Sequence, residues 1–192
     1  MQISAFINGY AQMKDLKASG IHPRSIKKAV DRGSVEKVKP GLYKLVDFPW
    51  DENSSFVDIC RSNKKAVICL TSAIEYYGLT TFNPDFVTFA LPMKVKANKM
   101  FYPPSKPYFF RDNVYRLGIE TVSSNSGNFL IYSVEKTIVD LFRYRNKIGD
   151  DIFLEALKNY LSSSTREIAS LLDYAGQCGV LQKIKPYLKA LS

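Results

Sequence analysis

Histidine is almost missing from this chain of 192 residues, with His22 the single example. A Ser-His-Asp triad or a multi-histidine metal centre has almost nothing to be built from. Cysteine is scarce as well. Cys60, Cys69 and Cys178 form an odd set with no C-x-x-C spacing, which argues against a disulfide framework and against a zinc site and reads as buried thiols. No cofactor or metal is expected. Long apolar runs are also missing. The longest aliphatic stretch, Ala66-Val67-Ile68-Cys69-Leu70, falls far short of the roughly 20 residues that a membrane-spanning helix needs, so no membrane partner is expected. Met1-Gln2-Ile3-Ser4-Ala5 shows no charged leader ahead of an apolar segment, so a secretory signal is not expected and the expected location is cytoplasmic. No internal repeat or low-complexity tract is visible.

What the chain does have is an ordinary globular content of hydrophobic residues, 46%, and an excess of positive charge, +9 in all. The charge is unevenly placed. Residues 1–46 carry nine basic side chains (Lys14, Lys17, Arg24, Lys27, Lys28, Arg32, Lys37, Lys39, Lys44) against Asp15, Asp31 and Glu36, a net of +6; the other 146 residues carry 18 basic and 15 acidic groups, +3. Such an asymmetry favours a polyanionic partner for the amino-terminal segment.

The same segment has a recognisable order. A first helix is expected over about residues 2–8. A second runs from Met13 to Ser19, with Gly20 placed as a left-handed cap. A third begins at Pro23, whose fixed φ and missing N–H suit a first helical turn, and stops at Gly33. Ile26, Ala29 and Val30 make its inward stripe, leaving Arg24, Ser25, Lys27, Lys28, Asp31 and Arg32 outside. Val35 to Val38 and Leu42 to Val46 then form a small ribbon around Lys39-Pro40-Gly41. Two helices, a tight connection and a ribbon together read as a winged helix-turn-helix over residues 1–46. Residues 47–57 are acidic, polar and aperiodic at first and read as a linker. Residues 58–192 read as a larger mixed domain. Strands are expected at Ala66–Cys69, Phe86–Leu91, Tyr108–Phe110, Ile119–Val122 and Phe129–Tyr132, and helices from Ser133 onward. Ser72 with Glu75, and Ser164 with Glu167, are expected to form capping boxes, and Pro186 to mark a kink or a fresh helix start. The fold class is therefore α+β, an amino-terminal winged helix-turn-helix followed by a mixed α/β domain ending in helices.

These residues also carry a resemblance. The pattern Met13-Lys14-Asp15-Leu16…Gly20-Ile21…Ile26…Gly33…Val35-Glu36-Lys37-Val38-Lys39-Pro40-Gly41-Leu42-Tyr43 resembles the winged-helix domain of the antitoxin/regulator proteins of AbiE-type abortive-infection systems, a type IV toxin–antitoxin class. Val67 to Thr80 looks like the strand and small helix that open that family's second domain. The block from Ile131 to Gly149, with Glu135-Lys136-Thr137-Ile138-Val139-Asp140 at its centre, is similar to its most specific motif. The resemblance implies two activities. The amino-terminal domain would bind double-stranded DNA at inverted repeats in its own promoter and repress the operon. The carboxy-terminal domain would counter a nucleotidyltransferase-like toxin without forming a stable complex with it. No catalytic activity is implied.

The expected DNA-binding residues are Arg24, Ser25, Lys27 and Lys28 for sequence readout, and Arg32, Lys37 and Lys39 for phosphate neutralisation. The same side chains also fit a solvated basic helix face and a polar turn. His22, ahead of Pro23, reads as a helix cap rather than a phosphate ligand. Glu135, Lys136 and Asp140 lack the E-x-K order of a metal-dependent nuclease, and Asp140 with Arg143 or Arg145 reads as an ion pair. Tyr76, Tyr77, Phe109, Phe110, Phe142 and Tyr144 read as core aromatics. Lys94 to Lys106 reads as an exposed loop around Pro103-Pro104, with a second nucleic-acid surface as the minor alternative. Two other classes stay open: a stand-alone winged-helix regulator with a sensing or oligomerisation domain, and a DNA-targeted nuclease.

Overall fold

The computed structural model describes residues 5–191. Its first unit is a layer of two helices on a three-stranded sheet. β1 (Tyr10–Gln12) leads into α1 (Met13–Ala18) and, through a tight turn, α2 (Pro23–Asp31); β2 (Val35–Lys39) and β3 (Leu42–Leu45) return as a hairpin. The sheet order is β1-β3-β2, all antiparallel. Gly20 and Gly33 take positive φ at the two helix ends, as their placement predicts.

The helix expected over residues 2–8 lies partly outside the described residues. Within them, Ile7 bridges Tyr10 around Asn8 and Gly9, and the chain goes on as the edge strand β1, which pattern alone did not predict. The reason is tertiary. Three residues hold too few side chains to show a period, and β1 exists because β3 offers it a partner.

The second unit is a mixed five-stranded sheet, order β6-β5-β4-β8-β7, from β4 (Val67–Ile68), β5 (Val87–Pro92), β6 (Ser105–Phe110), β7 (Ile119–Ser124) and β8 (Gly127–Tyr132). The expected strands are all present. Helix α3 (Ser54–Ser62) precedes them, starting inside the stretch that reads as aperiodic, and α4 (Leu70–Tyr76) and the short α5 (Asp112–Tyr115) sit between strands. The chain ends in α6 (Val134–Ile148), α7 (Asp150–Ser162), α8 (Ile168–Gln177) and α9 (Leu181–Leu191). Pro186 lies within a continuous α9.

Neither capping box forms. α4 starts two residues before Ser72, whose hydroxyl instead accepts from Thr88 N–H at 2.9 Å, tying α4 to β5. Glu167 is itself the N-cap of α8, and Ser170 donates to it from inside the helix. Tyr76 and Phe109 depart from the core expectation, exposed at 37% and 43%, because the pleat of β6 and the outer face of α4 turn them to solvent; Phe110 and Phe142 are buried as expected. Of the cysteines, all free, Cys69 is buried and Cys60 and Cys178 are half-buried.

Both sheets are covered on two sides, and side-chain alternation assigns the cores. Val35, Ala11 and Tyr43 face α1 and α2 together with Leu16, Ile26 and Ala29. Their strand neighbours Tyr10, Val38 and Leu42 face the other way, into a core shared with α3 and with Ile68, Phe89, Leu91, Phe129 and Ile131. The opposite face of the five-stranded sheet packs Val67, Ala90, Phe110 and Tyr132 against α4 and α6–α9. The hairpin is thus a middle layer.

Candidate nucleic-acid interface

Helix α2 is built to present charge. His22 caps it, its Nδ1 accepting from Arg24 N–H at 3.2 Å, and Pro23 fills the first turn where no N–H is missed. Ile26 and Ala29 hold it to the sheet at 1% and 8% exposure. Arg24, Ser25, Lys27, Lys28 and Arg32 are all exposed. Ser25, Lys28 and Arg32, at helical spacing, line a groove of about 800 Å³ with Ser19, His22 and Ser34, while Arg24 and Lys27 occupy the adjoining strip. Among the described residues none of these cations forms an ion pair, so their charge is left for an outside anion.

The hairpin lysines are divided by a bulge. The register shifts between Lys37 and Lys39, so that Lys37 faces Tyr43 and Lys39 faces Leu42. Lys37 stays exposed with its ammonium 5.4 Å from the centre of the Phe101 ring. Phe101 N–H donates to Val38 O at 3.1 Å, so the loop between β5 and β6 covers the open edge of β2. Lys39 is drawn back: its Nζ donates to the Ser62 carbonyl at 2.7 Å, and burial, then the nearby Lys64 charge, pull its ammonium below the ordinary lysine range. Lys44 is buried and donates to Asp58 Oδ2 at 2.6 Å, with Glu36 Oε2 at 3.5 Å. Charge counting did not separate these three positions. Only the docked second unit does.

Of Glu135, Lys136 and Asp140, the last two meet as a structural pair and Glu135 bonds elsewhere. Lys136 Nζ donates to Asp140 Oδ2, and Arg143 donates to Asp140 Oδ1 at 2.7 Å. Lys136 and Asp140 are wholly shut from solvent, and the Lys136 ammonium lies 4.3 Å from the Tyr132 ring centre. Glu135 accepts from Tyr160 O–H at 3.1 Å. Among the described residues no group of three or more His, Cys, Asp or Glu side chains is arranged to hold a metal ion.

Residues 1–46, which contain both α2 and the hairpin, match the family described as transcriptional regulator, AbiEi antitoxin. This amino-terminal segment is therefore similar to that of AbiEi-type regulators. The match covers the basic segment and leaves the second unit outside it. No curated protein matches the chain. Among solved structures, the Rv2827c protein from Mycobacterium tuberculosis is similar in fold, with a TM-score of 0.56 at 12% identity over 94% of this chain and 75% of that one. The similarity in fold extends through the second unit. Among the described residues no helix is long and apolar enough to cross a membrane.

Proposed function

We propose that this chain is the antitoxin of a type IV, AbiE-like toxin–antitoxin system acting in phage defence, and the repressor of its own operon. The reading is carried by one observation: the segment that matches the AbiEi family is the one whose exposed helix face bears unpaired cations. On this reading residues 1–46 are a winged helix-turn-helix. α2 enters the major groove, with Arg24, Ser25, Lys27 and Lys28 at base edges and Arg32 and Lys37 on phosphates. The second unit counters a nucleotidyltransferase-like toxin without a stable complex and without catalysis, in the cytoplasm.

The test is a mobility shift across a salt series, using duplex DNA from immediately upstream of the gene and a scrambled duplex of equal length. Preferential binding that weakens steeply with salt is expected. Arg32→Ala with Lys37→Ala should weaken binding on every sequence and lower the salt slope by about two. Lys28→Ala should change which sequence is preferred, at a cost of about 1–3 kcal/mol on the natural site. Equal binding of both duplexes by the wild type would remove the repressor role.

That the family match ends at residue 46 favours one second reading, a stand-alone winged-helix regulator whose second unit senses a ligand or mediates oligomerisation. Co-expression separates the two. An antitoxin restores growth to cells poisoned by a nucleotidyltransferase-like neighbour, and a plain regulator does not.

A further inference from the structure

A second basic surface lies where the hairpin tip meets the second unit. Pro40 and Gly41 at the tip, the end of α3 and the loop after β5 enclose an open cleft of about 710 Å³. Its walls carry six cations: Lys14 from α1, Lys39 from β2, Arg61 from α3, Lys64 and Lys65 from the turn that follows, and Lys96 from the loop. No carboxylate lines it, and among the described residues none of the six forms an ion pair. Like charges drawn this close without a counter-charge repel one another, and an anion between them relieves that repulsion.

The cleft wall is tied together rather than loose. Asn98 Nδ2 donates to the Ser62 carbonyl at 2.6 Å, beside the Lys39 ammonium on the same oxygen, and Asn98 N–H donates to Asn63 Oδ1 at 2.8 Å. The Ser62 hydroxyl, on a residue exposed by 1%, is the buried side-chain polar atom left without a partner among the described residues, and Ser62 lines the cleft. No aromatic ring lines the cleft. A site for a single strand or a free nucleotide gains from a ring on which a base can stack; a site for a duplex needs only cations along a backbone.

We propose that this cleft is a second phosphate track for duplex DNA, by which the second unit grips the sugar–phosphate backbone beside the segment read by α2. The inference rests on the DNA reading of α2, since β2 supplies Lys37 to that reading and Lys39 to the cleft. It assigns contacts to Arg61, Lys64, Lys65 and Lys96, which lie outside the segment matched by the family. The sequence sign was weak: a Lys64-Lys65 pair beginning three residues after Arg61, and Lys96 in a later loop, which only the fold brings together.

The experiment uses the full chain with Lys64, Lys65 and Lys96 changed together to Ala; all three are exposed, so the fold should survive, and a thermal melt checks it. Binding to the upstream duplex is measured across a salt series, beside Arg24→Ala/Lys28→Ala as the control for α2. The triple variant should lose about tenfold or more in affinity at low salt and lower the salt slope by about two to three, while keeping its preference for the upstream sequence. Unchanged affinity and slope in the triple variant, with preference lost in the α2 control, would overturn the cleft and leave the α2 reading standing. A wild type with no sequence preference whose duplex binding still drops in the triple variant would sustain the cleft and remove the α2 reading. Binding of inorganic triphosphate that the triple variant abolishes, with duplex affinity unchanged, would overturn the duplex assignment in favour of a small phosphorylated ligand.

Discussion

At Asp58 three elements converge on one carboxylate. Tyr10 O–H from β1 donates to Oδ1 at 2.7 Å and Lys44 from β3 to Oδ2 at 2.6 Å, while Asp58 itself is fully buried on α3. Burial pushes its pKa above the ordinary aspartate range, against the opposing pull of the Lys44 and Tyr10 hydrogen bonds. Asp58→Ala would leave the Lys44 ammonium buried with only Glu36 at 3.5 Å, and should cost about 3–5 kcal/mol. Joint replacement, Lys44→Met with Asp58→Leu, should cost less than the single change. Both are read by urea unfolding followed through Trp50, the sole tryptophan, which lies 5.5 Å from the Lys44 ammonium and donates to Leu45 O. A single-variant loss below about 1 kcal/mol would show that the pair does not hold the hairpin down. At this scale the sequence is least informative: Lys37, Lys39 and Lys44 look alike in composition, yet one is exposed, one half-buried and one buried.

Among elements, the expectations that held were those written in local chemistry. Pro23 and Gly33 bracket α2, and the Pro-Gly turn joins β2 to β3, because a fixed φ and a positive φ are needed there whatever the surroundings. The first capping box failed because Ser72 found a tertiary partner in Thr88 of β5, the second because α8 starts only after Glu167. A comparable tertiary tie joins α7 to the turn after α4. Glu155 accepts from Thr81 N–H at 2.8 Å, Thr80 O–H at 2.8 Å and Thr81 O–H at 2.9 Å, and the Thr81 amide first, then the two hydroxyls, hold its carboxyl below the usual glutamate range. A depressed folded-state pKa stabilises above the unfolded value, 4.5, and that stability fades as pH falls through the folded value. Glu155→Gln should therefore lower Tm at neutral pH and approach the wild type as the buffer is acidified below about pH 4. Parallel Tm curves for the two proteins down to low pH would show that the ionised carboxylate contributes nothing.

The whole molecule is a stack in which the amino-terminal sheet is shared. Tyr10, Val38 and Leu42 belong to the second unit's core although the sequence places them in the first. Residues 1–46 expressed alone would expose that face, in a chain already too short to bury much of its surface. They should give no cooperative thermal melt by circular dichroism, whereas the full chain should; a sharp melt of the fragment would show that the shared core is dispensable. Much of the fold was legible before the structure: α2, the hairpin, the five strands and the carboxy-terminal helices follow from period, proline and glycine, which act within a few residues of themselves. So did the exposed face of α2, since Ile26 and Ala29 leave Arg24, Ser25, Lys27, Lys28 and Arg32 nowhere to point but outward. β1, too short to show a period, was not legible, nor was α3, whose start lies within the polar stretch read as a linker. Nor was the gathering of Lys14, Lys39, Arg61, Lys64, Lys65 and Lys96 around one cleft. Periodicity tells a side chain which way to face along its own element; which distant charge it then meets depends on how the layers dock, and docking is decided by burial summed over the entire chain.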